Sequence, residues 1–151
     1  MSPTLEEGDR VLAIRPLWPL RVQKGQMVLF RQGDIDEKLD DPALSLHIKR
    51  VVALAGEAYR SSIHPLGYHE HVTQEKHTFV WHIPHDCIFV CGDNREQSID
   101  SRSWGPLRLR NVRGIVVKKV SSSPVSLSAH VTIVQRRIPH ENPDRFHVES
   151  H

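Results

Sequence analysis

Short apolar runs, each closed by a chain breaker, constrain the fold of this sequence more than any other feature. They are Val11-Leu12-Ala13-Ile14, Met27-Val28-Leu29-Phe30, Ile48 with Val51-Val52-Ala53-Leu54, Cys87 to Cys91, and Ile115-Val116-Val117. Gly8-Asp9, Gly25, Gly56, Pro84 and Gly92 punctuate them. Runs of this length, rich in Val, Ile, Leu and Phe, read as strands. No segment keeps a helical period over three turns. The pattern predicts a mostly β domain with Greek-key or coiled-sheet connections. At 151 residues the chain has room for one such domain with a buried core.

Two segments depart from the pattern. Residues 60–84 carry His64, His69, His71, His77 and His82, with His85 just beyond, and few aliphatic side chains, which predicts an exposed hairpin or loop inserted into the domain. From Ser121 the chain turns polar. Val131-Thr132-Ile133-Val134 reads there as an added edge strand, and the closing His-, Pro- and Asn-rich stretch reads as disordered.

Charge and cysteine usage exclude several classes. A net charge of +2 with no basic run leaves no electrostatic footprint for a nucleic acid. Cys87 and Cys91 lie in one strand, roughly 13 Å apart, whereas a disulfide needs Cα atoms within about 7 Å. Both read as small buried hydrophobes. The same separation argues against a metal site built from His82, His85, Cys87 and Cys91, so no metal and no cofactor is expected. No stretch approaches the roughly 18 apolar residues of a membrane span, and no leader pattern opens the chain.

Three segments carry the chemistry. The first is Met1-Ser2-Pro3-Thr4-Leu5, and the second runs from His47-Ile48-Lys49-Arg50 to Gly56-Glu57. The third runs from Gly92-Asp93-Asn94-Arg95 through Ser98-Ile99-Asp100-Ser101-Arg102 to Trp104-Gly105. In the third, Asp93, Asp100, Arg95 and Arg102 can form bidentate carboxylate–guanidinium pairs, and Trp104 supplies an apolar anchor. In the second, Lys49 stands inside an apolar strand and shares a face with Val51. Such a lysine either points to solvent or is a partly buried amine. Desolvation would lower its pKa and make it a general base. Periodicity leaves both open.

In this order and spacing the segments resemble the conserved motifs of type I signal peptidases, the serine–lysine proteases that trim secretory leader peptides. That family's first motif reads Ser-Met-x-Pro-Thr-Leu, and Met1 to Leu5 matches all of it after the serine. Its lysine motif is matched from Lys49 to Gly56, with Glu57 where Asp is usual. Its last motif is matched at every fixed position from Gly92 to Gly105. Gln26 and Ala55 depart from the family's usual Asp and Pro. The resemblance covers residues 1–118. The Gly92–Gly105 motif also sets the chain apart from self-cleaving repressor domains, which share a serine–lysine dyad but lack that motif.

The resemblance implies a coiled antiparallel, barrel-like β fold, with a catalytic domain over residues 1–120 and an extension over 121–151. It implies Lys49 as general base, Ser98 as the hydroxyl that orients it, and Asp100 as the acidic neighbour. It implies Asp93 and Arg102 as a pair bracing the site, and Met1, Leu5 and Ile48 as lining for the substrate. The partners implied are signal peptides of secretory preproteins and, in a longer form, the membrane surface on its extracytoplasmic side. The nucleophilic serine, the oxyanion-hole donor and the anchor would all precede Met1. Ser2, displaced by roughly 6.6 Å along a strand, is not expected to replace that serine. Two expectations result: a longer peptidase whose Lys49 serves an upstream serine, or an inactive relative that binds leader peptides without cutting them.

Overall fold

The computed structural model describes residues 4–5, 9–15, 20–31, 46–67 and 69–120, and the backbone of 131–134. The long sheet is built from β1 (Arg10–Ile14), β2 (Met27–Arg31), β3 (Leu46–Ala53), β7 (Cys87–Cys91), β8 (Leu107–Arg108), β9 (Gly114–Val120) and β10 (Val131–Val134). Their spatial order is β10-β1-β9-β2-β3-β7-β8. The pairings are antiparallel except β1 with β10, which run parallel. The predicted edge strand at Val131–Val134 is therefore present at one end of the sheet. A second sheet, in the order β4-β6-β5, comprises β4 (Ala58–Ser61), β5 (Val72–Glu75) and β6 (Thr78–His82). Among the described residues the α-helix is a single turn, α1 (Ser101–Trp104). The protein is thus mostly antiparallel β, as expected. Its sheet stays open and does not close into a barrel.

The segment read as an exposed hairpin is more integral than that. Val80, Trp81 and Ile83 are buried, and Trp81 and Ile83 pack with Ala53, Cys87, Phe89 and Cys91. The physical reason lies in β7, which is buried along its whole length. Ile88 and Val90 face a cluster containing Val28, Phe30 and Val51, while Cys87, Phe89 and Cys91 face the small sheet. A strand that is continuously apolar must be covered on both faces, and the small sheet is the second cover. The histidines that made this segment look exposed stand beside that apolar face. Both cysteines are free and buried, and burial pushes their thiols up, to about 12 for Cys87 and about 11 for Cys91.

A third cluster, Leu5, Val11, Ala13, Leu29 and Val116, fills the other side of β2, with Met27, Leu46 and Ile48 packed against it. Residues of β3 therefore alternate, with Ile48 on this cluster and Val51 on the first. Lys49 sits between them.

Candidate active site

Two strands and the loop after them place the polar groups. β3 pairs with β7 from Arg50 to Ala53 and with β2 from Leu46 to Arg50. β7 ends at Cys91, and the chain then leaves the sheet, loops through Asn94–Gln97 and returns at Ser98. There the Lys49 ammonium donates to Ser98 Oγ at 2.7 Å. Lys49 is half-buried, and desolvation pushes its pKa below the ordinary lysine value. The charges of Asp100 and Cys91 oppose that shift, and Arg102 adds to it. Of the two sequence readings of Lys49, the partly buried amine is the one the structure supports.

Gly92 is what lets the loop return so closely. A Cβ built there would stand 2.2 Å from Ser98 Oγ, 2.6 Å from Ser98 Cβ and 3.5 Å from Lys49 Nζ. Any side chain would displace Ser98 or Lys49, so glycine is demanded by contact and not by backbone angle.

Asp100 organises the return strand of the loop. It is fully buried and caps α1, accepting from the Arg102 amide at 3.2 Å. It also accepts the Gly92 amide at 2.9 Å and two guanidinium bonds from Arg102, each 2.8 Å. Burial alone would raise its pKa, but the bonds from Arg102, the Gly92 amide, Ser98 and the Arg102 amide together hold it below the ordinary carboxylate value. Arg102 Nη2 also reaches Ser98 O at 3.3 Å. Ser101 Oγ accepts the Val90 amide at 3.0 Å, tying the helix to β7. Gly105, at φ 94°, ends the turn in a conformation that favours glycine, its amide donating to Ser101 O.

The expected bracing pair of Asp93 and Arg102 is replaced by two separate pairs. Asp93 takes two bonds from Arg50, 2.8 and 2.7 Å long, and Arg102 is committed to Asp100. The reason is topological: Arg50 is opposite Cys91 in the β3–β7 register, so its side chain meets the residue that comes after Gly92. Arg50 also donates to Gly25 O at 2.7 Å, joining the loop to the turn before β2. The hydrogen bond from Arg50, and then one from Thr4, hold the Asp93 carboxyl below its usual range.

That Thr4 contact brings the first segment to the third. Leu5 and Ile48 meet in one apolar cluster, while Met1 lies outside the described residues. Arg50, Gly92 and Ser101 were given no role from sequence; all three are fixed positions of the matched motifs, but the motifs alone did not show that Ser101 tethers the helix to β7. His47 was also unassigned. It stacks on Phe30 at 5.8 Å, and burial, then the Lys49 charge, lowers its pKa.

Residues 64–120 match the family described as signal peptidase, peptidase S26. The chain is 31% identical over 123 residues to a probable thylakoidal processing peptidase of Arabidopsis thaliana, covering 76% of this chain and 34% of that one. The chain is similar to signal peptidase I proteins over about three quarters of its length. A signal peptidase I of Leptolyngbya laminosa is 29% identical over 126 residues, covering 78% of this chain and 62% of that protein. A signal peptidase I structure from Enterococcus faecalis superimposes with a TM-score of 0.43 at 19% identity, covering 64% of this chain and 97% of the other. The chain spans about a third of the length of the thylakoidal relatives it matches. Among the described residues, no helix is long and apolar enough to cross a membrane.

Proposed function

We propose that this protein is the lysine-bearing part of a serine–lysine peptidase that cleaves signal peptides from secretory preproteins. The observation that carries the reading is the half-buried Lys49 amine held 2.7 Å from Ser98 Oγ by a loop whose buried charges are paired within it. Neutral Lys49 takes the proton of a serine hydroxyl as that oxygen bonds to the scissile carbonyl carbon. The protonated amine then gives its proton to the departing amine, leaving an ester that water hydrolyses with Lys49 again as base. Ser98 and Asp100 orient the amine, and Asp93 and Arg102 hold the loop that presents them. The nucleophile in this reading is the serine that the family's first motif sets directly before the position of Met1, and not Ser2.

Substrate binding is supported by an open strand edge. Leu46 to Lys49 pair with β2, and among the described residues no strand pairs with them on the side where β7 has ended. An extended leader peptide adds there through backbone bonds, with Leu5 and Ile48 near its side chains. The same reading places the protein at a membrane surface, on the extracytoplasmic side, where signal peptides emerge.

The test is processing of a signal-peptide-bearing preprotein by the protein as its own host makes it, with the amino-terminal mass determined in parallel. Cleavage that is lost on Lys49→Ala, in a protein carrying the upstream serine, is the expected result. Cleavage that survives Lys49→Ala overturns the mechanism. A native protein that binds the leader peptide but never cuts it leaves the inactive-relative reading in its place.

A further inference from the structure

We infer that Ile99 is a specificity residue of the site, contacting the substrate residue just after the scissile bond and favouring an apolar side chain there. The inference rests on the peptide-cleaving reading above.

Ile99 is a large apolar side chain that is 69% exposed, while its two chain neighbours are committed inward. Ser98 holds Lys49 and has its carbonyl taken by Arg102, and Asp100 is fully buried at the helix cap. The backbone of Ile99 is thus clamped at both ends, and its exposed side chain follows directly on the serine that holds Lys49. A hydrophobe fixed in water next to a catalytic group gains free energy only when something covers it.

Strand register indicates what does so. A peptide added along Leu46–Lys49 occupies the side of β3 that β7 vacates at Arg50. The loop leaving Cys91 crosses the end of that channel, since it reaches Asp93 beside Arg50 and Ser98 beside Lys49. The leader half of the peptide lies along β3, its scissile bond comes to Lys49, and the next residue continues onto the loop, where Ile99 stands. A lipid contact is less well supported, because Arg95, Glu96 and Gln97, the exposed neighbours on the same loop, are charged or polar.

The test is equilibrium binding of the whole chain to fluorescent peptides that span a signal-peptide junction and carry Leu, Ala or Asp just after it. The Leu peptide is expected to bind on the order of fivefold to tenfold tighter than the Asp peptide, the scale of one apolar contact. Ile99→Ala should bring the two within about twofold while leaving preferences on the leader side unchanged. Ile99→Lys should reverse the order. An unchanged Leu-over-Asp ratio in Ile99→Ala, or no such ratio in the unmodified chain, overturns the inference and leaves the peptidase reading standing. Failure of every peptide to bind overturns both. Co-sedimentation with anionic phospholipid vesicles is the remaining arm. Loss of vesicle binding in Ile99→Asp, with peptide preference intact, makes Ile99 a lipid contact and overturns the inference.

Discussion

The loop from Gly92 to Gly105 and the small sheet of β4, β5 and β6 cover neighbouring parts of the same strand, β7, by opposite means. The loop buries charge: Asp100, Ser101, Arg102 and Ser103 are all inside, and Asp100 and Arg102 satisfy each other. The small sheet buries rings, with Trp81 fully enclosed, 5.6 Å from Phe89, and Tyr59 stacked on Phe89 at 4.7 Å. Among the described residues, the buried side-chain polar atom without a partner is Trp81 Nε1, in the apolar cover and not in the polar loop. A paired buried charge fixes geometry because one partner cannot move without stranding the other, whereas apolar packing tolerates small shifts. The site is built on the rigid kind.

Truncation on each side breaks the comparison most strongly. Asp100→Ala strands Arg102, which is 6% exposed, and should cost about 3–5 kcal/mol in denaturant unfolding. Trp81→Ala should cost a similar amount, about 3–5 kcal/mol, by leaving a cavity. The two differ in rescue. Adding Arg102→Met to Asp100→Ala should recover much of the loss, and a double variant no more stable than the single would show that the pair does not act as a unit.

Gly92→Ala comes next. It should cost about 1–3 kcal/mol from overpacking, and it should also move Lys49 away from Ser98. Nitrogen or Cε chemical shifts of Lys49 followed against pH report that second effect. In the unmodified protein Lys49 should titrate below the ordinary value of about 10.4, and a Gly92→Ala curve identical to it would remove the glycine from the site.

Acid unfolding sharpens the contrast further. Asp93 and Asp100 are held below their ordinary values. The stability they contribute is complete above about pH 3.9, the unfolded value, and is lost as pH falls through their depressed values. Asp100→Asn should flatten that acid limb by about one proton's worth of slope. The smallest effect belongs to the rim of the small sheet. His82→Ala removes a 3.3 Å contact to Thr73 at an exposed position, and thermal unfolding should move by no more than about 0.5 kcal/mol.

Much of this was legible in the residues, and the exceptions share a cause. β1, β2, β3, β7 and β9 fall on the apolar runs, because a covered strand must be apolar wherever it is covered. The strands of the small sheet were hidden because β4 and β5 are mostly polar and exposed, and β6 offers only a brief apolar run. Phe79-Val80-Trp81 is too short a signal against that background. The pairing of Asp93 with Arg102 came from the resemblance, whereas here Asp93 bonds to Arg50 and Arg102 to Asp100, partners set by the β3–β7 register.

By itself the sequence determined the class of fold, the motif order and the residue types the chemistry needs, since strand patterning and motif spacing are local properties of a chain. Only the tertiary structure decided that Arg50 and not Arg102 holds Asp93, that Gly92 must lack a side chain, and that Lys49 is half-buried against Ser98. Those facts depend on which backbone lies opposite which across β3 and β7, and hydrogen-bond partners and desolvation are set by that register, not by separation along the chain.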